Sequence, residues 1–302
     1  MKGWLTVVLA LSLASGGCAQ KALPPAGFKD QGALPYVQKH GLKLEVLLNE
    51  QDFVGASTVI DIKDATRAAS SSNTLLQSSG ASAGLAGVLV ASLINTQMGS
   101  GSLQREAEQA AHNESRPMAS LLGGQPLQTR LQQRYQEASQ AAGLKQGEGA
   151  ITARLLVEPK LMLGPDRGSF VLINQVRLED IAGSALYRTR IEVVSQPFRR
   201  CGAQCIDDGG LELDKVLALL DECVRESMRV LAADLNQPAS RPAAQETLRY
   251  VLDGQRVVER GYQLAGNGSY SRYRNLQGAV KSVPVAFEDA LSEEQLQKIY
   301  GQ

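Results

Sequence analysis

Three successive stretches of alternating apolar residues, followed by one long stripe of apolar residues three and four apart, constrain the fold of this chain more than any other feature. Ile151, Ala153, Leu155 and Val157 alternate with polar or outward-facing positions, Phe170 to Leu178 forms a second run, and Tyr187, Thr189, Ile191 and Val193 alternate in a third. A period of two places each set on one face of a strand. The connections Gly164-Pro-Asp-Arg-Gly168 and Asp180-Ile-Ala-Gly-Ser184 are short and carry turn chemistry, which predicts an antiparallel meander. Its apolar face needs a cover. Leu213, Val216, Leu217, Leu220, Val224, Met228, Leu231 and Leu235 fall on one stripe of a helix that can supply it. Asp207, Asp208, Glu212 and Asp214 gather at the start of that helix, with Arg225 and Arg229 towards its other end, a pattern that helix-end electrostatics explains more simply than a catalytic or metal cluster. The expected class is α+β: an antiparallel β-meander packed by amphipathic helices, with a small β-rich C-terminal extension.

Elsewhere the patterning is more local. Leu42 to Leu48 and Ser57 to Asp64 read as a strand pair across Asn49-Glu50-Gln51-Asp52. After Pro126, Leu127, Leu131, Tyr135, Ala138 and Ala142 line one helical face, and Gln128, Gln132, Gln133, Gln136 and Gln140 make a polar face expected to be solvated, until Gly143 stops the helix. Leu103 to His112 reads as a short polar helix. In the tail, Asp253-Gly254 between apolar-containing runs is a hairpin signal, Gly266-Asn-Gly268 a turn, and Ser292-Glu-Glu-Gln295 a capping box opening a helix through Tyr300. The segment Gly80 to Met98 carries no charge, and Gly80, Ala83, Gly84, Gly87 and Ala91 give it a small-residue surface; a packed core helix is the favoured reading, with self-association or membrane contact as the other.

Composition removes several chemistries. With 31 Lys+Arg against 31 Asp+Glu, no long-range field draws the chain to nucleic acid. His40 and His112 are the only histidines, too few for most zinc sites and His-based triads. No Gly-x-Ser-x-Gly elbow, Walker loop, His-Glu-x-x-His or dinucleotide fingerprint occurs, so the expectation is a protein that is not an enzyme and holds no metal or cofactor. An enzyme of unfamiliar motif is the residual alternative.

The N-terminus reads as an address. Lys2 precedes an apolar run from Trp4 to Leu13 that breaks into Ala14-Ser15-Gly16-Gly17-Cys18. This is the pattern of a secretory signal peptide, too short to span a bilayer as a helix. The small residues leading into a cysteine resemble the lipobox of bacterial lipoproteins, with Ser15 where that family carries an aliphatic residue. The resemblance implies cleavage before Cys18, lipidation of Cys18 with palmitate among its chains and, because Ala19 follows, an outer-membrane destination facing the periplasm. The alternative is cleavage after Ala19 and a soluble periplasmic or secreted protein. Either route leads to an oxidising compartment, where Cys201, Cys205 and Cys223 are disulfide candidates. A Cys201–Cys205 staple with Cys223 as a buried thiol is preferred, and pairing of either loop cysteine with Cys223 stays open. The expected organisation is a signal peptide over 1–17, a lipid-anchored flexible tether over 18–35, an α+β domain over 36–237 and a C-terminal module over 238–302.

One surface invites a partner. Arg249, Tyr250, Arg256, Arg260, Tyr262, Tyr270, Arg272, Tyr273, Arg274 and Lys281 interleave basic and aromatic groups, with six bases against three acids from Glu246 to Lys281. Such a surface could take an acidic envelope polymer, peptidoglycan or lipopolysaccharide, by charge and stacking. The simpler reading puts tyrosines inward and arginines outward on an ordinary small sheet. The strand-meander-helix order is also loosely similar to auxiliary lipoproteins of envelope transport systems. That similarity implies a non-catalytic accessory protein docking on a larger transport or assembly complex.

Overall fold

A computed structural model of the chain describes residues 27–56, 113, 115–147, 152–163, 168–198, 212–236, 244–252 and 255–300. It is an α+β fold built on a ten-stranded mixed, mostly antiparallel sheet. In chain order the elements are β1 (Phe28–Lys29), α1 (Ala33–His40), β2 (Leu42–Val46), β3 (Val54–Ala56), a helical stretch over 115–122, α2 (Leu127–Ala141), β4 (Ala153–Leu163), β5 (Phe170–Glu179), β6 (Ala185–Val194), α3 (Leu213–Asn236), β7 (Glu246–Leu252), β8 (Gln255–Leu264), β9 (Ser271–Asn275), β10 (Val280–Val283), a 3₁₀ turn (Glu288–Ala290) and α4 (Glu293–Tyr300). The strand order is β2-β4-β5-β6-β10-β9-β8-β7, with β3 beside β4 and β1 beside β6.

The meander is present as the periodicity predicts. Leu155, Val157 and Leu161 of β4, Phe170, Leu172, Val176 and Leu178 of β5, and Tyr187, Ile191 and Val193 of β6 share one buried face. α3 buries Val216, Leu220, Val224, Met228, Leu231 and Leu235, and with the buried Leu127, Leu131 and Tyr135 of α2 these residues form the main core against that face. At roughly 1.5–3 kcal/mol per fully buried large apolar side chain, this layer is the chief source of stability.

Strand pairings distant in sequence complete the sheet. β10 lies parallel to β6, with Val280 opposite Ile191 and Ser282 opposite Val193, so the C-terminal strands continue the meander's own sheet. β2 runs parallel to β4 over Leu42–Val46, and β3 parallel to the far end of β4, on the same edge. β2 thus has a parallel partner distant in sequence; residues 57–64, the other half of the predicted strand pair, lie outside the described residues. Pro159 falls on β4 between the β2-paired and β3-paired stretches, where the neighbouring strand is interrupted and a proline costs no ladder donor. Part of the expected tether is also built into the fold: Phe28 and Lys29 pair with Arg188 and Tyr187, and α1 begins at Ala33, which is fully buried.

Gly41 shows why a glycine separates α1 from β2. Its φ is +74°, and a Cβ there would sit 2.6 Å from the Gly147 Cα. The two backbones approach closely enough for Leu42 N–H to donate to Lys145 O at 2.9 Å, closing the end of the sheet.

Candidate functional site

Strand alternation divides the basic and aromatic tail residues between two faces of the sheet. On the face covered by α3, β9 presents Arg272 and Arg274, and β10 presents Ser282. α3 meets them with acids. The fully buried Glu226 accepts from Arg272 Nε at 2.8 Å and Nη2 at 3.1 Å, from Ser282 Oγ at 2.7 Å and from Asn267 Nδ2 at 2.9 Å. One turn earlier, Glu222 accepts from the Tyr270 hydroxyl at 3.0 Å. Two turns later, Asp234 pairs with Arg274 and accepts from the Tyr187 hydroxyl at 2.6 Å, while Lys29 Nζ donates to the Asp234 carbonyl at 2.6 Å. This polar seam ties the C-terminal strands to the long helix. Burial first, and then the neighbouring Asp234 carboxylate, push the Tyr187 hydroxyl well above the usual phenol range. Burial does the same to Tyr270, helped by Cys223 and Glu222.

The opposite face holds a second cluster. Tyr273 donates to Glu259 Oε2 at 2.6 Å, Lys281 Nζ lies 2.7 Å from Glu259 and 3.6 Å from Glu192, and Arg190 pairs with Glu192 at 2.7 Å. The Tyr250 and Tyr273 hydroxyls are 3.0 Å apart. Around them Val194, Leu248, Leu252, Val257, Val283 and Phe287 form a small second core. Two carboxylates flanking a lysine are a familiar acid-base set. Here all three side chains are at most 10% exposed and each is engaged by another, so the set reads as a buried polar joint between β6, β8, β9 and β10.

The sequence-derived surface therefore separates. Tyr270, Arg272 and Tyr273 are buried and Arg274 is bound to Asp234, whereas Arg249, Arg256, Arg260 and Tyr262 stay together on one face of the β7–β8 hairpin. Arg256 reaches Glu288 through Nε at 2.9 Å and Nη2 at 2.7 Å, and the Tyr300 hydroxyl bonds the same carboxylate. Burial alone would raise the Glu288 pKa; the hydrogen bonds from Arg256 and Tyr300, with the charges of Arg256 and Arg249, outweigh it and hold the carboxyl below its usual range.

Cys223 is fully buried on α3 with its thiol free, and burial with the nearby Glu222 and Glu226 pushes that thiol well above its ordinary pKa, which makes it a poor nucleophile or metal ligand. Cys18, Cys201, Cys205 and the segment with Gly80, Ala83, Gly84, Gly87 and Ala91 lie outside the described residues. Among the described residues no group of three or more His, Cys, Asp or Glu side chains is placed to hold a metal ion, and no helix is long and apolar enough to cross a membrane.

Sequence reasoning missed the use made of the α2 glutamines. Gln132 accepts from Val46 N–H at 2.9 Å and donates to Leu44 O at 3.1 Å, and Gln128 donates to Val46 O at 2.9 Å. These amides occupy the open edge of β2 as a further strand would, so this part of the expected solvated face is engaged with the sheet. The four-residue spacing of Gln128 and Gln132 was the available signal. An open cleft of about 610 Å³ lies beside this edge, lined by Leu47, Asn49, Asp52, Glu158, Lys160 and Gln175 among others. Its mixture of one exposed leucine, acids, a lysine and amides converges on no single ligand chemistry. No family model, curated protein or solved structure matches this chain.

Proposed function

We propose that the protein is a non-catalytic, lipid-anchored accessory protein of a bacterial cell envelope, held through Cys18 at the outer membrane, facing the periplasm and docking on a larger transport or assembly complex. The observation that carries the reading is the N-terminal series of Lys2, the apolar run Trp4 to Leu13, and Ala14-Ser15-Gly16-Gly17-Cys18. The disposition of charge lends support. Glu226 and Asp234 on one face, and Glu192, Glu259 and Lys281 on the other, are engaged with partners inside the fold. Groups committed in this way hold the architecture together and are poorly placed for turnover.

Palmitate labelling of cells expressing the native chain or Cys18→Ser tests the anchor, and crosslinking followed by affinity purification and mass spectrometry tests the docking. Label on the native chain alone, with one defined membrane complex that disappears in the variant, is the expected result. Unlabelled protein beginning at Gln20 would replace the anchor with a soluble periplasmic or secreted form, and failure to recover a protein partner would remove the docking role.

A further inference from the structure

The chain enters the described fold at the foot of the arginine-bearing hairpin. Gly27 N–H donates to Arg188 O at 2.8 Å, and a Cβ on Gly27 would lie 3.3 Å from Gly278 Cα and 3.5 Å from an Arg274 guanidinium nitrogen. Arg274 stands opposite Tyr262 across β9 and β8. Along that same hairpin face, Arg260 pairs with Thr247, Arg249 with Val258 and Arg256 with Val251. The two acids within β7 and β8, Glu246 and Glu259, project from the other face, where Glu259 is taken by Tyr273 and Lys281. Charge is thus segregated across the hairpin. Glu288 compensates Arg256. Arg249 makes no hydrogen bond or ion pair among the described residues, and the exposed Arg260 meets only the neutral Gln245 Oε1, at 3.3 Å. Arg249, Arg256 and Arg260 thus set three guanidiniums against the single carboxylate of Glu288, an excess of two positive charges that shares one open face with the half-buried ring of Tyr262 beside the point of entry.

We propose that this hairpin face lies against the phosphate headgroups of an anionic bilayer. Its placement rests on the lipid-anchor reading, and its charge does not. Nine peptide units separate Cys18 from Gly27, which at no more than roughly 3.6 Å each keeps the entry point within about 32 Å of an acylated Cys18. A lipid chain joined by a basic surface is the two-signal arrangement that makes attachment firm, and the aromatic ring suits the headgroup level. Each guanidinium near an anionic surface favours binding by roughly fivefold, so Arg249 and Arg260 together supply roughly 30-fold.

The test is vesicle flotation of the mature, unacylated chain, residues 18–302 with Cys18→Ser, on phosphatidylcholine alone or with phosphatidylglycerol. It is compared with the same chain carrying Arg249→Glu and Arg260→Glu, and with a control carrying Lys39→Glu. Circular dichroism confirms that each is folded. Expected are retention only on the anionic vesicles, weakening with salt, a loss of at least roughly 30-fold in the double variant, and none in the control. Equal retention on neutral vesicles, or unchanged binding by the double variant, would overturn the proposal. Binding to soluble polyphosphate without binding to anionic vesicles would overturn it in favour of an anionic polymer. The mass of the N-terminal peptide from cells reads the anchor separately: an unacylated chain that still floats with anionic vesicles loses the anchor and keeps the face.

Discussion

Glu226 is the residue on which most of the long-helix seam converges. Its carboxylate is fully buried and accepts from Arg272, Ser282 and Asn267, so the ion pair is well satisfied at its acidic end. Glu226→Gln keeps the shape and removes the charge, leaving Arg272 uncompensated in a site where its side chain is 8% exposed. Breaking one side of a buried pair costs about 3–5 kcal/mol, and urea unfolding should show a loss of that size. Glu226→Leu combined with Arg272→Leu should cost much less than the sum of the single changes, because no orphan charge remains. If the paired change costs as much as the sum, the seam is held by packing and not by charge. The Arg/Tyr alternation was legible in the sequence, and its orientation holds on β7, where Tyr250 is buried and Arg249 half-exposed on the other face, but not on β9. Arg272 and Tyr273 point to opposite faces of β9, and both are buried because α3 covers one face and the second core the other. A rule that sends tyrosine inward and arginine outward has no purchase on a strand with no outer face.

At the scale of elements, local patterning and long-range pairing part company. The meander strands, α3 and the capping box were readable because each is set by spacing within one segment: Ser292 N–H donates to Gln295 Oε1 at 2.8 Å and Gln295 N–H to Ser292 Oγ at 3.3 Å, as the four-residue signature predicts. The parallel contacts of β2 with β4 and β10 with β6 were not readable, since periodicity states which face is apolar and is silent on which strand lies alongside. The same silence hid the guard on the β2 edge. Gln132→Ala removes two hydrogen bonds from that edge, which predicts a loss of about 1–3 kcal/mol in chemical denaturation and faster self-association by light scattering. Unchanged association would show that the edge is protected by something else. At the other end of the sheet, α4 has no buried residue and is joined to the hairpin through Glu288, Arg256 and Tyr300. The Glu288 carboxyl titrates lower in the folded chain than in the unfolded one. The clasp is therefore fully present above the ordinary carboxylate pKa of about 4.3 and is lost as pH falls through the depressed folded value. Hydrogen exchange of the α4 amides, corrected for intrinsic rates, should accelerate in that acid window while α3 stays protected, and Glu288→Gln should abolish the step. Simultaneous release of α3 and α4 would mean that the clasp is not a local device.

The strands of the described residues form one sheet whose two cores meet at the β6–β10 contact, and this bears on whether the tail is a separable module. β6 contributes Tyr187, Ile191 and Val193 to the main core and Val194 to the second, while β10 contributes Val280 to the first and Val283 to the other. α3 directs Glu222, Glu226 and Asp234 towards partners supplied after residue 244. A chain ending at residue 237 would keep the meander and its helix but leave those acids without Tyr270, Arg272 and Arg274, and would open the inner edge of β6 along Ile191 to Val193. Losing two such ion pairs at about 3–5 kcal/mol each, with the Tyr270 hydrogen bond, is comparable to the roughly 5–15 kcal/mol that a domain has in hand. We therefore expect residues 18–237 with Cys18→Ser to retain far-ultraviolet dichroism, lose near-ultraviolet dichroism, bind a hydrophobic dye and unfold without a sharp transition, whereas residues 18–302 with the same substitution unfold cooperatively. A sharp transition at an unchanged urea midpoint in the shorter chain would instead establish two independent domains, and the ion pairs across α3 would then be interface contacts with little share in holding the first domain together.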